Sequence, residues 1–226
     1  EEEKLVTKRR YPHFDPIVLL DDKRKQIIFS SKEVGSYSFF PFIHTIRKER
    51  RRKWSAEHET RRVIPKERPI CYAAHLDSLV FSWYGFLLNA WYEDILKEEG
   101  ISDVVIAYRK LNKSTPDFVR DVGDAIKTKQ GCVALCFDVT GFFDNISHGE
   151  LRDNWLRVVA PNVICEDGRL PEDHYKIYRT VTKFHFVEKK AIEDCFSEGK
   201  ISVKNGRYAP KVSFIQLVMA KHRGLK

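Results

Sequence analysis

The chain has 226 residues, 42% of them hydrophobic, enough to bury a core in one domain or two small ones, which argues against intrinsic disorder. Its 40 Lys and Arg outweigh 32 Asp and Glu, for a net charge of +8, a footprint expected of a protein that meets phosphate. Cys71, Cys132, Cys136, Cys165 and Cys195 form no C-x-x-C pair and no Cys/His cluster at zinc spacing, so a reduced, cytoplasmic setting is expected.

From Glu1 to Thr60 the pattern is irregular. Tyr11-Pro12-His13-Phe14-Asp15-Pro16 reads as a turn-rich lead-in, and a helix is predicted from Ser38 to Lys53. β-type residues on both sides of Pro65-Lys66-Glu67-Arg68-Pro69 predict a short hairpin between Arg61 and Ala73. Leu76, Leu79, Val80, Trp83, Tyr84, Leu87, Leu88, Trp91, Ile95 and Leu96 recur at helical spacing, predicting a long core helix that ends at Gly100. The apolar stretch within it, Leu79 to Tyr92, is broken by Ser82, Gly85 and Asn89 and is too short to span a bilayer. Neither a membrane partner nor a signal peptide is expected.

Val104 to Tyr108 reads as a strand. Thr115 is placed to cap a helix with Pro116 at its first position and Phe118, Val119, Val122 and Ile126 inward, ending by Gly131. Cys132 to Val139 is almost continuously apolar, the pattern of a strand covered on both faces. Ser147 and Glu150 then stand at capping-box spacing before Leu151, Trp155, Leu156 and Val159. The alternation of strand and helix predicts a mixed sheet of the α+β or α/β kind.

The positive charge is concentrated near the N-terminus, where 18 Lys and Arg against 11 Asp and Glu lie between Glu1 and Ile70. Its densest part is Arg47, Lys48, Arg50, Arg51, Arg52 and Lys53, interrupted only by Glu49. Such a run is either a clamp on an RNA or DNA backbone or a solvated helix face.

The sharpest chemical signal is Ala134-Leu135-Cys136-Phe137-Asp138-Val139-Thr140-Gly141-Phe142-Phe143-Asp144-Asn145-Ile146-Ser147-His148. A carboxylate at the end of a buried apolar strand needs a partner, whether a hydrogen bond, a cation or a metal; the plainer alternative is a turn acid. The run resembles motif A of reverse transcriptases. The resemblance implies that Asp138 is catalytic and binds Mg2+ with the Val139 carbonyl, and that Phe143 lies under the sugar of the incoming nucleotide. Two-metal phosphoryl transfer asks for ligands of this kind beside a group that fixes the ribose. Asp144 and His148 belong to the same pattern and are expected to shape the turn and the following helix.

Arg61-Arg62-Val63-Ile64-Pro65-Lys66-Glu67-Arg68-Pro69-Ile70 resembles the fingers hairpin of group II intron and related bacterial reverse transcriptases. That resemblance implies that Lys66 and Arg68, with Arg62, bind the nucleotide triphosphate from the hairpin tip; the alternative is a charged, exposed turn. Tyr11 to Asp15, Tyr72 to Ser78, Trp91 to Glu93, Ala107 to Arg109 and Pro171 to Tyr175 are similar to the abortive-infection and uncharacterised bacterial groups that act in antiphage defence. His75, His174 and the Trp83 to Trp91 aromatics are read as satisfied core polars and helix packing.

The family's Q-G-x-P and Y-x-D-D motifs do not occur in this sequence. With Glu1 in place of a methionine, and Ile215 to Lys226 standing where Q-G-x-P would begin, a piece of a longer protein is expected. The resemblance therefore implies an α+β right-hand polymerase fold, with fingers over residues 1–130 and the first part of a ferredoxin-like palm over 131–226. The implied activity is RNA-directed DNA polymerisation with Mg2+, an RNA template, a DNA product and dNTPs as partners. The alternatives are a non-catalytic RNA-binding scaffold on the same fold and an RNA polymerase or primase of related fold.

Overall fold

The computed structural model describes residues 11–17, 20–55, 59–129, 131–197, 201–204 and 207–210; the 215–226 stretch discussed above lies outside them. The architecture is mixed α and β, with a three-stranded and a two-stranded sheet among the described residues. Two compact units emerge, one from residues 1–85 and 172–226, the other from 86–171.

In the first unit, α1 (Asp22–Phe29) and α2 (Ser31–Ser36) are each closed by a side chain at the N-cap: Arg24 N donates to Asp21 at 2.9 Å and Glu33 N to Ser30 at 3.3 Å. β1 (Phe42–Ser55) and β2 (Thr60–Tyr72) form a long antiparallel ribbon. β3 (Phe186–Glu188) lies parallel to the start of β1, so the strand order is β2-β1-β3. α7 (Lys189–Ser197) follows β3 directly, and Ile43, Val187, Ile192 and Cys195 close a core there with Phe14 and Tyr72 against it. A small hairpin of β4 (Ile201–Lys204) and β5 (Arg207–Pro210) completes the unit.

The expected helix from Ser38 to Lys53 is therefore a strand. Ile43, Thr45 and the alternating residues after them pair with β2 residue by residue from Ile43↔Tyr72 to Ser55↔Thr60, and long-range pairing overrides the local preference. The expected hairpin tip, Pro65 to Pro69, lies within β2, while β1 ends at Ser55 opposite the start of β2 at Thr60. β2 is an edge strand, which tolerates proline. Pro65 and Pro69 stand four apart, so both take the same parity, opposite Arg50 and Ile46.

α3 (His75–Glu98) begins three residues after β2, and Gly100 follows its end at φ 68°, as the periodicity predicts. Its first turn is capped from far away: Asp15 accepts from His75 N at 3.0 Å and from Leu76 N at 2.9 Å, with His75 Nδ1 at 2.8 Å. His75 Nε2 meets the Tyr11 carbonyl at 2.9 Å, and the Tyr11 hydroxyl donates to the Ala73 carbonyl at 2.8 Å. Within the same turn, buried Asp77 accepts from the Tyr37 hydroxyl and from Phe40 N, each at 2.9 Å. Further along, the Tyr84 hydroxyl donates to Asp173 at 2.6 Å on α6 (Glu172–Thr182), and the His174 ring packs edge-on to Tyr84. Gly35 admits α6 closely, since a Cβ there would stand 3.2 Å from Glu172 Cγ.

In the second unit the expected strand from Val104 to Tyr108 is a series of turns. Their carbonyls serve one side chain: Arg109 donates to Ser102 O and Val105 O at 2.5 Å each while binding both Glu93 oxygens at 2.7 Å. α4 (Thr115–Lys127) is capped by Ser114 rather than Thr115, with Ser114 N donating to Asp117 at 2.9 Å. Its apolar positions Val119, Val122 and Ile126 are exposed rather than inward. α5 (His148–Val159) is capped by Ser147, which accepts from Glu150 N at 3.3 Å.

Asp15→Ala should strip two buried backbone N–H groups and the His75 ring of their acceptor, costing about 2–4 kcal/mol. Urea unfolding measures this, and a loss within 0.5 kcal/mol, the roughly neutral range of surface changes, would show that the cap does not hold α3.

Candidate nucleic-acid interface

Side chains alternate across a strand, so the ribbon's register sorts its charges into two faces. Arg47, Glu49, Arg62, Lys66 and Arg68 share one face with the register positions of Arg51 and Lys53, and that face continues at its base into Ile43 and Tyr72 of the core. Lys48, Arg50, Arg52 and Arg61 share the other with Ile46, Val63, Trp54, Pro65 and Pro69. Almost the whole ribbon beyond its base is solvent-exposed. The basic run is thus neither a helix face nor one continuous patch, because alternate members point to opposite sides.

On the first face Arg47 stands directly opposite Arg68, a pairing that destabilises a sheet, and the register position of Lys53 is opposite Arg62. Glu49 offsets the first: it lies 3.2 Å from Arg68 Nε and 3.6 Å from Arg47 Nε, and its register partner is Lys66. On the second face Lys48 pairs with Glu67 at 3.0 Å. Such exposed pairs contribute roughly 0.2–1 kcal/mol each, so the ladder, not the ion pairs, sets the register. What it assembles is a surface of guanidinium and ammonium groups from two distant sequence segments. Lys66 and Arg68 are brought together with Arg47 at mid-strand instead of at a tip, while Arg62 shares their face about 20 Å from Arg68, towards the far end of the ribbon.

The Asp138 segment lies in the second unit. Residues 132–139 form no strand, and Val133, Leu135, Phe137 and Val139 are exposed, Phe137 by 90%. An apolar strand covered on both faces needs neighbours that bond its backbone, and among the described residues no strand pairs with it. Asp138 is exposed as well. After it the chain turns at Gly141, where φ is 62° and a Cβ would come within 3.0 Å of Asn145 Nδ2. That Nδ2 donates to the Gly141 carbonyl at 2.9 Å, and a short 3-10 turn over Phe142–Asn145 follows. Phe143 is 73% exposed, edge-on to Phe142.

Asp138 and the Val139 carbonyl are the ligands this segment can offer. Mg2+ is commonly held by one or two carboxylates together with substrate phosphates, and the pair fits that role in part. Among the described residues no group of three or more His, Cys, Asp or Glu gathers where a metal ion could sit.

Trp54, Arg61 and Glu49 share these faces, and the sequence reading names none of them as a site residue. Their signal is the alternation itself, two segments of β-branched and cationic residues of matching length flanking residues 56–58. No protein-family model matches the chain, and no curated protein matches it. No described helix is long and apolar enough to cross a membrane.

The exposure of the Asp138 segment is open to thiol chemistry. Cys71, Cys132 and Cys136 are exposed and Cys195 is buried, and partial desolvation and then Glu188 raise the Cys71 thiol above its usual pKa. Cys132 and Cys136 should react with a thiol reagent ahead of Cys71, and Cys195 last, as followed by mass mapping. Protection of Cys132 and Cys136 would contradict the exposed segment.

Proposed function

We propose that this chain is the fingers and the start of the palm of a reverse transcriptase, on a right-hand polymerase fold, acting in antiphage defence on an RNA template. The observation that carries the reading is the face shared by Lys66, Arg68, Arg62 and Arg47. Triphosphate recognition asks for converging cations with fixed geometry, and a ribbon supplies them on a backbone held by its ladder. The motif around Asp138 supports the same reading from the second unit. Asp138 and the Val139 carbonyl would hold Mg2+, which when bound neutralises charge building up on the transferring phosphate. Phe143 would set the sugar, because a ring against the ribose leaves a 2′-hydroxyl neither room nor a hydrogen-bond partner.

A non-catalytic RNA-binding scaffold is the second reading, favoured by the exposed setting of Asp138 and Phe143. Primer extension on an RNA template by the full-length protein separates the two. Asp138→Asn should abolish incorporation while leaving the thermal melt unchanged, since a neutral amide is a poor ligand for Mg2+; wild-type extension by the variant would remove the catalytic role.

Phe143→Val should admit ribonucleotides and keep much of the deoxynucleotide reaction. With the ring 73% exposed, truncation should change stability by no more than about 0.5 kcal/mol. An unaltered preference between dNTP and rNTP would defeat the sugar gate.

A further inference from the structure

The second face of the ribbon has a different chemistry from the first. Its cross-strand pairs are Trp54↔Arg61, Arg52↔Val63, Arg50↔Pro65, Lys48↔Glu67 and Ile46↔Pro69. Trp54 is 65% exposed, and Ile46 and Val63 are each more than half exposed. Among the described residues Arg50, Arg52 and Arg61 make no ion pair, while Lys48 is engaged by Glu67. The face therefore carries three free guanidinium groups among exposed apolar side chains, ending in an indole ring. A solvated charged face would not interleave tryptophan, valine, isoleucine and two prolines with its arginines, and an apolar docking face would not carry the arginines.

We propose that this face is a track for single-stranded RNA, with Trp54 stacking a base and Arg50, Arg52 and Arg61 holding phosphates. Platforms of this kind combine an aromatic ring, which every base can stack on, with cations that follow the backbone. Same-face residues repeat every ~6.8 Å along a strand, so the stripe from Ile46 to Trp54 runs about 27 Å. That length lets an unstacked strand of several nucleotides meet a cation at successive steps. Duplex RNA is a poor fit, because its bases are stacked inside and its major groove is too narrow for side chains to read. The two faces then divide the labour, one gripping triphosphate and the other the strand. The choice of RNA rests on the function proposed above; the stacking track itself does not.

Binding of fluorescein-labelled U12 RNA to the 226-residue chain, followed by anisotropy across a salt series, tests this without any nucleoside triphosphate, so its outcome is separate from that of the Asp138 assay. Trp54→Ala should weaken U12 binding by about tenfold with the salt slope unchanged, and Trp54→Phe should restore it. Arg50→Gln with Arg52→Gln should weaken binding and make the slope of log K against log salt shallower by about 1.4, at 0.7 for each phosphate lost. An unchanged affinity in Trp54→Ala would overturn the track. An equal loss on a 12-base-pair DNA duplex would show groove or charge binding instead, and a larger loss on dT12 than on U12 would assign the face to DNA; either result overturns the proposal.

Discussion

Asp15 closes the N-terminus of α3 from sixty residues away, and the geometry of the ribbon depends on it. β2 ends at Tyr72 and α3 starts at His75, so the two backbone N–H groups that Asp15 accepts from fix where β2 leaves the sheet. Asp77, in the first turn of the same helix, holds Tyr37 and Phe40 just before β1 begins at Phe42. Entry to and exit from the ribbon are thus pinned at that turn by two buried carboxylates, Asp77 from within it and Asp15 from the lead-in. A ribbon exposed over most of its length has little packing to fix its direction; these anchors at its base supply the constraint.

Asp77 and the buried His13, whose Nδ1 lies 3.9 Å from Asp15, have opposing proton linkage. Burial raises Asp77 to about 6, and burial lowers His13 to about 4, opposed in part by the Asp15 charge. Asp77 binds a proton more readily folded than unfolded, so its contribution to stability falls as pH rises through about 6. His13 binds one less readily when folded, so its contribution is present above its ordinary value of 6.5 and falls as pH drops toward 4. The two windows overlap between about 4 and 6, where the slopes offset each other and the base of the ribbon keeps its stability.

Where packing is local the sequence is readable. The apolar stripe of α3 and its stop before Gly100 follow from helical periodicity and a residue free to take positive φ. The lead-in from Tyr11 to Asp15 reads as a turn, yet its purpose as a remote cap depends on contacts sixty residues apart. The basic run misleads for a related reason: Arg and Lys are good helix formers, and the preference gives way only because a matching segment pairs with it. Val104 to Tyr108 has strand composition, but Arg109 draws the Ser102 and Val105 carbonyls to itself. Residues 132–139 are apolar enough for a buried strand, but burial requires partners that sequence composition does not name.

The candidate site divides along the same line. Asp138 and Phe143 are legible as a motif, while the grouping of Arg47 with Lys66 and Arg68, and of Trp54 with Arg50, Arg52 and Arg61, is a property of the register alone. A slip of β1 by one residue would move its whole set to the opposite face, placing Trp54 on the side of Lys66 and Arg68. Backbone NMR across residues 42–72 tests this most directly. Extended Cα shifts throughout β1 and β2, with cross-strand contacts joining Arg47 to Arg68 and Arg52 to Val63, are expected. Helical shifts between residues 42 and 53, or contacts displaced by one residue, would contradict the two-faced ribbon.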